Sequence, residues 1–234
     1  MGVGQLLKLI HLEIKKHKLF NYWLGVLIAN ISIIALMSMI FIIEKIELNM
    51  PFEDFNMMMS MSDTLIRATF LIFSSIIMVK IIIEEYKSNL MSIMFTYPIS
   101  RKKILLSKLT IVVIFTFTTI MFSSLLMGVG VYLLNPMIHI VPESISGENV
   151  VAFLTTSFFG ALATAGLSLI PLFFGMRKKS STATIVSAIL LATLTGSSID
   201  GVSMLQLISM LISLGIIGII IGYLAVRNIE HVDI

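Results

Sequence analysis

Six long apolar runs constrain the fold of this 234-residue chain more than any other feature. A helix needs about 20 apolar residues to cross the hydrocarbon core of a bilayer, and lipid does not tolerate unpaired backbone polar groups. The runs lack the alternating pattern of a membrane β-barrel, so each predicts a spanning helix. They lie at about Tyr22–Ile43, Thr64–Ile83, Leu105–Leu134, Val150–Phe174, Ser181–Thr195 and Leu205–Val226. We therefore predict an all-α membrane protein with six transmembrane helices in a single domain, residues 1–234.

Composition supports a membrane protein and leaves no room for a sizeable soluble domain. Hydrophobic residues make up 57% of the chain and charged residues only 12%, about half the charged share of soluble domains. The absence of cysteine excludes disulfides and thiolate chemistry. The first run is longer than the core of a signal peptide and no small-residue cleavage site follows it, so we expect it to be retained.

The placement of basic residues predicts the orientation. Of the 16 Lys and Arg residues, 14 lie on one side of the runs, and only Lys45 and Arg67 lie on the other. Because cytoplasmic loops carry the excess of basic residues, both termini are predicted to be cytoplasmic, which requires an even number of spans.

Residues 1–20 precede the first run and mix apolar with basic residues. Leu6, Leu7, Ile10 and Ile14 recur at helical spacing among lysines. This pattern is typical of an amphipathic helix that lies in the headgroup layer. The alternative interpretation is a simple basic anchor at the start of the first span.

No motif in the chain indicates catalysis. The histidines, His11, His17, His139 and His231, form no H-E-x-x-H sequence, and no glycine-rich phosphate-binding loop is present. We therefore expect a protein that is not an enzyme and holds no cofactor or metal of its own. Energy for any pumping has to come from another polypeptide or from an ion gradient.

Few charged residues fall within the runs. Asp63 and Arg67 are four residues apart at the predicted outer end of the second run, so they can pair on one helical face. Lys80 lies near the cytoplasmic end, where its side chain can snorkel to water. A gradient-driven transporter would need an ionisable residue deeper in the membrane, so these positions favour structural roles over a proton relay.

Methionines are dense in the predicted outer loop "NMPFEDFNMMMSMSD". Thioethers can bind copper(I), and they also form adaptable apolar surfaces that suit a greasy or peptidic substrate. Since the chain has 17 methionines throughout, a compositional habit is the third interpretation and the one we favour.

Small residues indicate where helices pack closely. Gly218 and Gly222 form a G-x-x-x-G pattern in the last run, and Gly160 is four residues before Thr164 in the fourth. Pro171, followed by Gly175, predicts a kink or an end of the helix in that fourth run.

The stretch "EEYKSNLMSIMFTYPISRKK" at residues 84–103 is the main polar insertion between runs. A helix over 84–95 would place Tyr86, Leu90 and Met94 on one apolar face. Pro98 then forces a turn, after which Ser100 can cap a helix that begins at Arg101. The alternative interpretation is a solvated basic loop.

This stretch, continued as "YPISRKKILLSK", resembles the coupling segment of ABC-2-type permeases, the membrane subunits of bacterial ABC exporters. The resemblance implies a dimeric permease in the bacterial cytoplasmic membrane whose coupling helix docks on a separate ATPase subunit, which binds ATP and Mg²⁺. The basic amphipathic start, Gln5 to Phe20, is similar to the elbow helix of that family, whereas the short outer connection "GSSIDGVSM" departs from it. The resemblance implies these ATPase contacts: Glu84, Glu85, Tyr86, Leu90, Met94, Pro98, Ser100 and Arg101.

Cargo and partners are less constrained by the sequence. Small permeases of this kind resemble exporters of antimicrobial or amphipathic peptides, so we expect such cargo, lipid contacts, and a second permease chain that is either identical or related. No feature indicates nucleic-acid binding. The alternative function is that of a non-transporting membrane sensor or assembly protein that binds a cytoplasmic regulator. A secondary transporter is the third hypothesis, because no internal sequence repeat is evident.

Overall fold

The structure is a computed structural model of the chain, and it describes residues 3–48, 55–87, 101–138, 145–178, 180–196, 198–199, 202–203 and 208–228. Its architecture is a helical bundle. The α-helices are α1 (Val3–Lys16), α2 (Tyr22–Leu48), α3 (Phe55–Met78), α4 (Glu84–Lys87), α5 (Arg101–Ile138), α6 (Gly147–Leu167), α7 (Ile170–Lys178), α8 (Ser181–Gly196) and α9 (Ile208–Asn228).

Four short elements complete the described chain. A single 3₁₀ turn, Leu19–Asn21, joins α1 to α2, and a π-helical segment, Val79–Ile83, joins α3 to α4. Between α8 and α9, strand β1 (Ser198–Ile199) pairs antiparallel with β2 (Val202–Ser203). The short outer connection expected from the sequence is therefore built on a small β-hairpin.

Helix length and hydropathy identify four segments that can cross a membrane. These segments are Leu19–Ile43, Phe55–Ile83, Lys102–Pro136 and Gly147–Lys178. The apolar helical segments Ser181–Gly196 and Ser213–Leu224 are shorter, and they coincide with the fifth and sixth predicted runs. The protein is thus an all-helical membrane bundle apart from the small hairpin, and the count of six spans stays a prediction.

The methionine-dense stretch is not a loop over its described part. The second span was predicted to begin at Thr64, but α3 already begins at Phe55. Phe55, Met58 and Met59 are buried and pack against α2 and α5. Long unbranched side chains favour helix and fill core space, so Met57, Met58, Met59 and Met61 belong to a helix; Met50 lies outside the described residues.

The fourth run is broken where its proline predicted a break. Helix α6 begins with a Ser146 cap, whose Oγ accepts a hydrogen bond from the Asn149 N–H at 3.3 Å, and it ends at Leu167. After a two-residue turn, α7 begins with Pro171 in its first turn, where a missing N–H costs no helical hydrogen bond. The kink or helix end predicted at Pro171 is confirmed.

Helices α6 and α9 approach each other closely through small residues. A Cβ atom added at Gly218 would overlap the carbonyl group of Gly166, and one added at Gly215 would lie 2.9 Å from the Cα of Ala163. Gly222 meets the side chain of Leu169. The pattern at Gly218 and Gly222 therefore joins two helices of the same chain.

Gly160 has a different environment from the other small residues. The guanidinium of Arg67, from α3, lies directly over Gly160 and would overlap a Cβ atom there. Arg67 pairs with Asp63, as the four-residue spacing predicted, and Ser157 Oγ of α6 donates a hydrogen bond to Asp63 Oδ1 at 3.3 Å. Glycine at position 160 thus makes room for the Asp63–Arg67 ion pair of α3 where α3 packs against α6.

We expect Gly218→Ala to destabilise the bundle by about 1–3 kcal/mol, because the added methyl group overpacks the α6–α9 interface. The thermal unfolding of the full chain in mild detergent measures this. Gly130→Ala is the matched control, since a Cβ atom at Gly130 meets no heavy atom within 4 Å among the described residues. Equal unfolding temperatures for the two variants would contradict the predicted interface.

Candidate functional site

A buried cluster of charged side chains lies where α1, α4 and α5 meet. Its centre is Lys108 of α5, whose side chain is fully buried. The Lys108 ammonium donates hydrogen bonds to Glu13 Oε2 of α1 at 3.0 Å, Glu85 Oε2 of α4 at 2.7 Å and the carbonyl oxygen of Ile81 at 2.9 Å. Three acceptors from three elements thus use the three hydrogens of one ammonium group.

Lys16, the last residue of α1, and His17, in the turn that follows, complete the cluster. Lys16 Nζ donates a hydrogen bond to Glu85 Oε1 at 2.7 Å. His17 Nε2 lies 3.0 Å from Glu85 Oε1 and 3.4 Å from Glu13 Oε2. Two carboxylates therefore face two ammonium groups, with an imidazole between the carboxylates. These contacts join five residues into one ion cluster: Glu13, Lys16, His17, Glu85 and Lys108.

The local sequence explains how these groups reach each other. His17 follows the last residue of α1, and its N–H donates a hydrogen bond to the carbonyl oxygen of Glu13 at 3.1 Å, which continues the helical spacing and brings the two side chains to one face. Glu85 is the second residue after the π-helical segment Val79–Ile83. A π turn breaks the ordinary i→i−4 hydrogen-bond ladder, and here the carbonyl of Ile81 within it accepts the bond from Lys108. Such π turns occur frequently at functional sites.

Apolar side chains of the core lie around the buried part of the ion cluster, while Lys16 is half exposed. Ile77, Ile81, Leu105 and Leu109 are buried in the same core region, which also packs against Ile14 of α1. A charge in such surroundings is tolerated only with a partner, because the loss of hydration has to be offset by hydrogen bonds and opposite charge. The cluster satisfies this condition by pairing each carboxylate with an ammonium group.

The ionisation of Glu85 reflects this balance. Burial alone would raise its pKa, but the hydrogen bonds and positive charges of Lys108 and Lys16 outweigh that effect and hold the pKa of the Glu85 carboxyl below the 4.5 of an ordinary glutamate. Glu85 is therefore an anion at neutral pH.

The donor set Glu13, His17 and Glu85 resembles a metal site in its composition, since their ligand atoms lie within 4.8 Å of one another. However, the Lys108 ammonium already occupies the position between the two carboxylates. The positive charge that a metal would supply comes from lysine, so we assign the group as an ion-pair network.

The structure distributes the predicted ATPase contacts unevenly. Glu84 is exposed, whereas Glu85 is only 4% exposed and faces inward to Lys108. Tyr86 belongs to α4, and Arg101 is the first residue of α5. Leu90, Met94, Pro98 and Ser100 lie outside the described residues. The cluster thus contains Glu85 from the predicted set and adds Glu13, Lys16, His17 and Lys108.

These four residues were not identified from the sequence. The lysines were used only to predict membrane orientation, and no motif was found that includes His17. One signal was present in the sequence. Glu13 is the only acidic residue among the first 43, and it is followed four residues later by a histidine in a segment that is otherwise basic.

Comparison with known proteins places the chain in a family. Residues 55–229 match the family described as ABC-2 family transporter protein. The chain is 36% identical to an uncharacterised protein of Bacillus subtilis (strain 168), YcbO, over 227 residues, which is 97% of this chain and all of the relative. No solved structure gives a significant match.

The chain therefore belongs to the ABC-2 transporter family, and it is a multi-pass membrane protein. Members of this family are membrane permeases that are normally not catalytic themselves, and membership implies partnership with an ATPase subunit. The match covers α3 to α9, so it includes Glu85 and Lys108 but begins after Glu13.

We expect Lys108→Met to destabilise the bundle by about 3–5 kcal/mol, because it leaves Glu13 and Glu85 buried without their shared cation. Thermal unfolding in detergent checks this. Lys178→Met removes an exposed lysine from α7 and should leave stability unchanged. If Lys108→Met unfolds at the same temperature as Lys178→Met, the cluster does not stabilise the fold.

Acid should reduce the stabilisation that the ion cluster gives to the fold, and only below about pH 4.5. Because the pKa of Glu85 is lowered in the folded chain, its contribution to stability is fully present above about pH 4.5 and is lost as the pH falls through the lower folded value. The unfolding temperature of the wild type should exceed that of Glu85→Gln at pH 7, and the difference should shrink only below about pH 4.5.

Glu84→Gln is the matched control for this profile, since Glu84 adjoins Glu85 but is exposed. It should follow the wild type at every pH. A wild-type advantage over Glu85→Gln that stays constant between pH 7 and pH 3 would show that ionisation of Glu85 does not stabilise the fold.

Proposed function

We propose that the chain is the permease subunit of an ATP-driven ABC exporter, and that the ion cluster connects its coupling segment to the membrane bundle. The observation that carries this proposal is the position of Glu85. It lies at the start of the coupling segment, and its carboxylate contacts both α1 and α5 through Lys16 and Lys108.

Transmission of movement follows from this geometry. A partner that displaces the coupling segment also displaces Glu85, and the hydrogen bonds from Lys108 and Lys16 resist separation because each lost pair leaves a buried charge. Helices α1 and α5 are therefore expected to move with α4. An ATPase dimer that holds the segment differently with and without ATP would thus bias the conformation of the bundle.

This geometry divides the predicted ATPase contacts into two roles. Glu84, Tyr86, Leu90, Met94, Pro98, Ser100 and Arg101 stay predicted contacts with the ATPase subunit. Glu85 is better supported as a positioning residue, because its oxygens are occupied inside the permease.

An apolar pocket supports the proposed class of cargo. It has a volume of about 210 Å³ between α2, α3 and α5, and Met37, Met58 and Met127 line it. Flexible thioether side chains adapt to varied apolar shapes, which suits amphipathic peptides. Export of such peptides through a path completed by a second permease chain, identical or related, is part of the proposal.

The proposal predicts a nucleotide-binding companion. Gentle purification of the tagged chain from its native membrane should yield an ATP-binding cassette protein in stoichiometric amount. The double variant Glu84→Ala with Tyr86→Ala should lose most of it, whereas Lys178→Ala should retain it. Vesicles that contain both subunits should then accumulate an amphipathic peptide only when ATP is present.

Two outcomes would contradict the proposal. If no nucleotide-binding protein accompanies the wild-type chain, the non-transporting sensor becomes the better interpretation. If a companion binds but peptide accumulates without ATP and follows a pH gradient, the chain is a secondary transporter.

A further inference from the structure

A second concave surface lies where α1 meets α5, and it shares Leu19 and Ile111 with the apolar core. It is an apolar recess of about 180 Å³, between α1, the start of α2 and one face of α5. Its apolar lining includes Ile10, Ile14, Phe20, Trp23, Ile111 and Ile114. Thr118 adds a hydroxyl group at the far end, so the recess as a whole is suited to a hydrocarbon ligand.

The recess runs along α5 into the membrane. Ile111, Ile114, Phe115 and Thr118 follow the i, i+3, i+4, i+7 spacing of one helical face, and they extend over about 10 Å along the helix axis. Phe20 is 76% exposed and Ile114 is 55% exposed, so the recess opens sideways to the surroundings of the bundle. In a bilayer that side is occupied by acyl chains.

The other end of the recess lies among positive charges. Lys15 follows the lining residue Ile14, and Lys18 precedes the lining residue Leu19; both lysines are exposed. Lys18 adopts a left-handed backbone conformation, with φ of 48°, at the turn between α1 and the 3₁₀ segment. This turn places a lysine at the junction of the two elements that form the recess.

Nearby acidic groups do not cancel these charges. Glu13 is the one acidic residue of α1 and is paired with Lys108, and Glu85 is paired with Lys16 and Lys108 inside the ion cluster. Lys15 and Lys18 therefore remain as excess positive charge where α1 meets the headgroup layer. Such charge selects anionic over zwitterionic lipids.

We propose that this recess binds one anionic phospholipid of the adjoining leaflet. Its acyl chain lies along Ile111, Ile114 and Trp23, and its phosphate lies between the ammonium groups of Lys15 and Lys18. The proposal is independent of the ATPase partner, because it uses only groups of this chain.

The chain offers a built-in probe for this site. Trp23 is its sole tryptophan and lines the recess. Bromine atoms on an acyl chain quench tryptophan fluorescence on contact, so the quenching of Trp23 reports which lipid occupies the recess. The full chain is reconstituted in vesicles with increasing fractions of brominated phosphatidylglycerol or brominated phosphatidylcholine.

We expect brominated phosphatidylglycerol to quench Trp23 with a relative affinity on the order of 10-fold higher than brominated phosphatidylcholine, as two nearby lysines would give. The double variant Lys15→Gln with Lys18→Asn should lose this preference. Asparagine tolerates the left-handed conformation at position 18, so the turn is preserved. Lys178→Gln, an exposed lysine distant in sequence, should keep the wild-type preference.

Two results would overturn the proposal. Equal quenching of the wild type by the two lipids would show that Trp23 contacts bulk lipid only, and the absence of quenching by either would show that the recess is closed to lipid. Native mass spectrometry supplies a readout that does not depend on fluorescence: one phosphatidylglycerol molecule should stay bound to each wild-type chain and be lost from the double variant.

Discussion

The arrangement of α1, α4 and α5 depends on one ammonium group. Lys108 is fully buried and its three hydrogens are directed to Glu13, Glu85 and the carbonyl of Ile81, which belong to three different elements. A buried lysine cannot exchange these acceptors for water, so the three elements are held in one relative position. The amphipathic N-terminal helix is therefore a structural part of the bundle, and its position is tied to the start of the coupling segment.

Much of the helical layout could be predicted from the sequence because hydrophobic length is a local property. The fifth run was expected at Ser181–Thr195 and α8 covers Ser181–Gly196; the break at Pro171 was also predicted. The predicted start of the second span, Thr64, is nine residues after the first residue of α3, Phe55. Polar residues are interspersed among the methionines after Phe55, so this stretch was interpreted as a loop. The buried face of this stretch packs against α2 and α5, and this packing stabilises the first turns of α3.

The ion cluster could not be predicted in the same way. Its members lie at positions 13, 16, 17, 85 and 108, and only the tertiary fold brings them together. Each looked ordinary by itself: a lysine near a membrane boundary is expected to face water. Gly160 is a similar case, because its spacing to Thr164 suggested helix packing while its actual neighbour is Arg67, more than 90 residues away in sequence.

The π-helical segment before α4 has a directional consequence. A π turn contains about one residue more than an α turn, so every residue after it is rotated by about 100° relative to an uninterrupted helix. If α3 continued without that extra residue, Glu85 would point away from Lys108 by roughly a quarter of a circle. The direction of the Glu85 carboxylate is thus set by the winding of Val79–Ile83. A change from π to α winding there would rotate the coupling segment about the axis of α3.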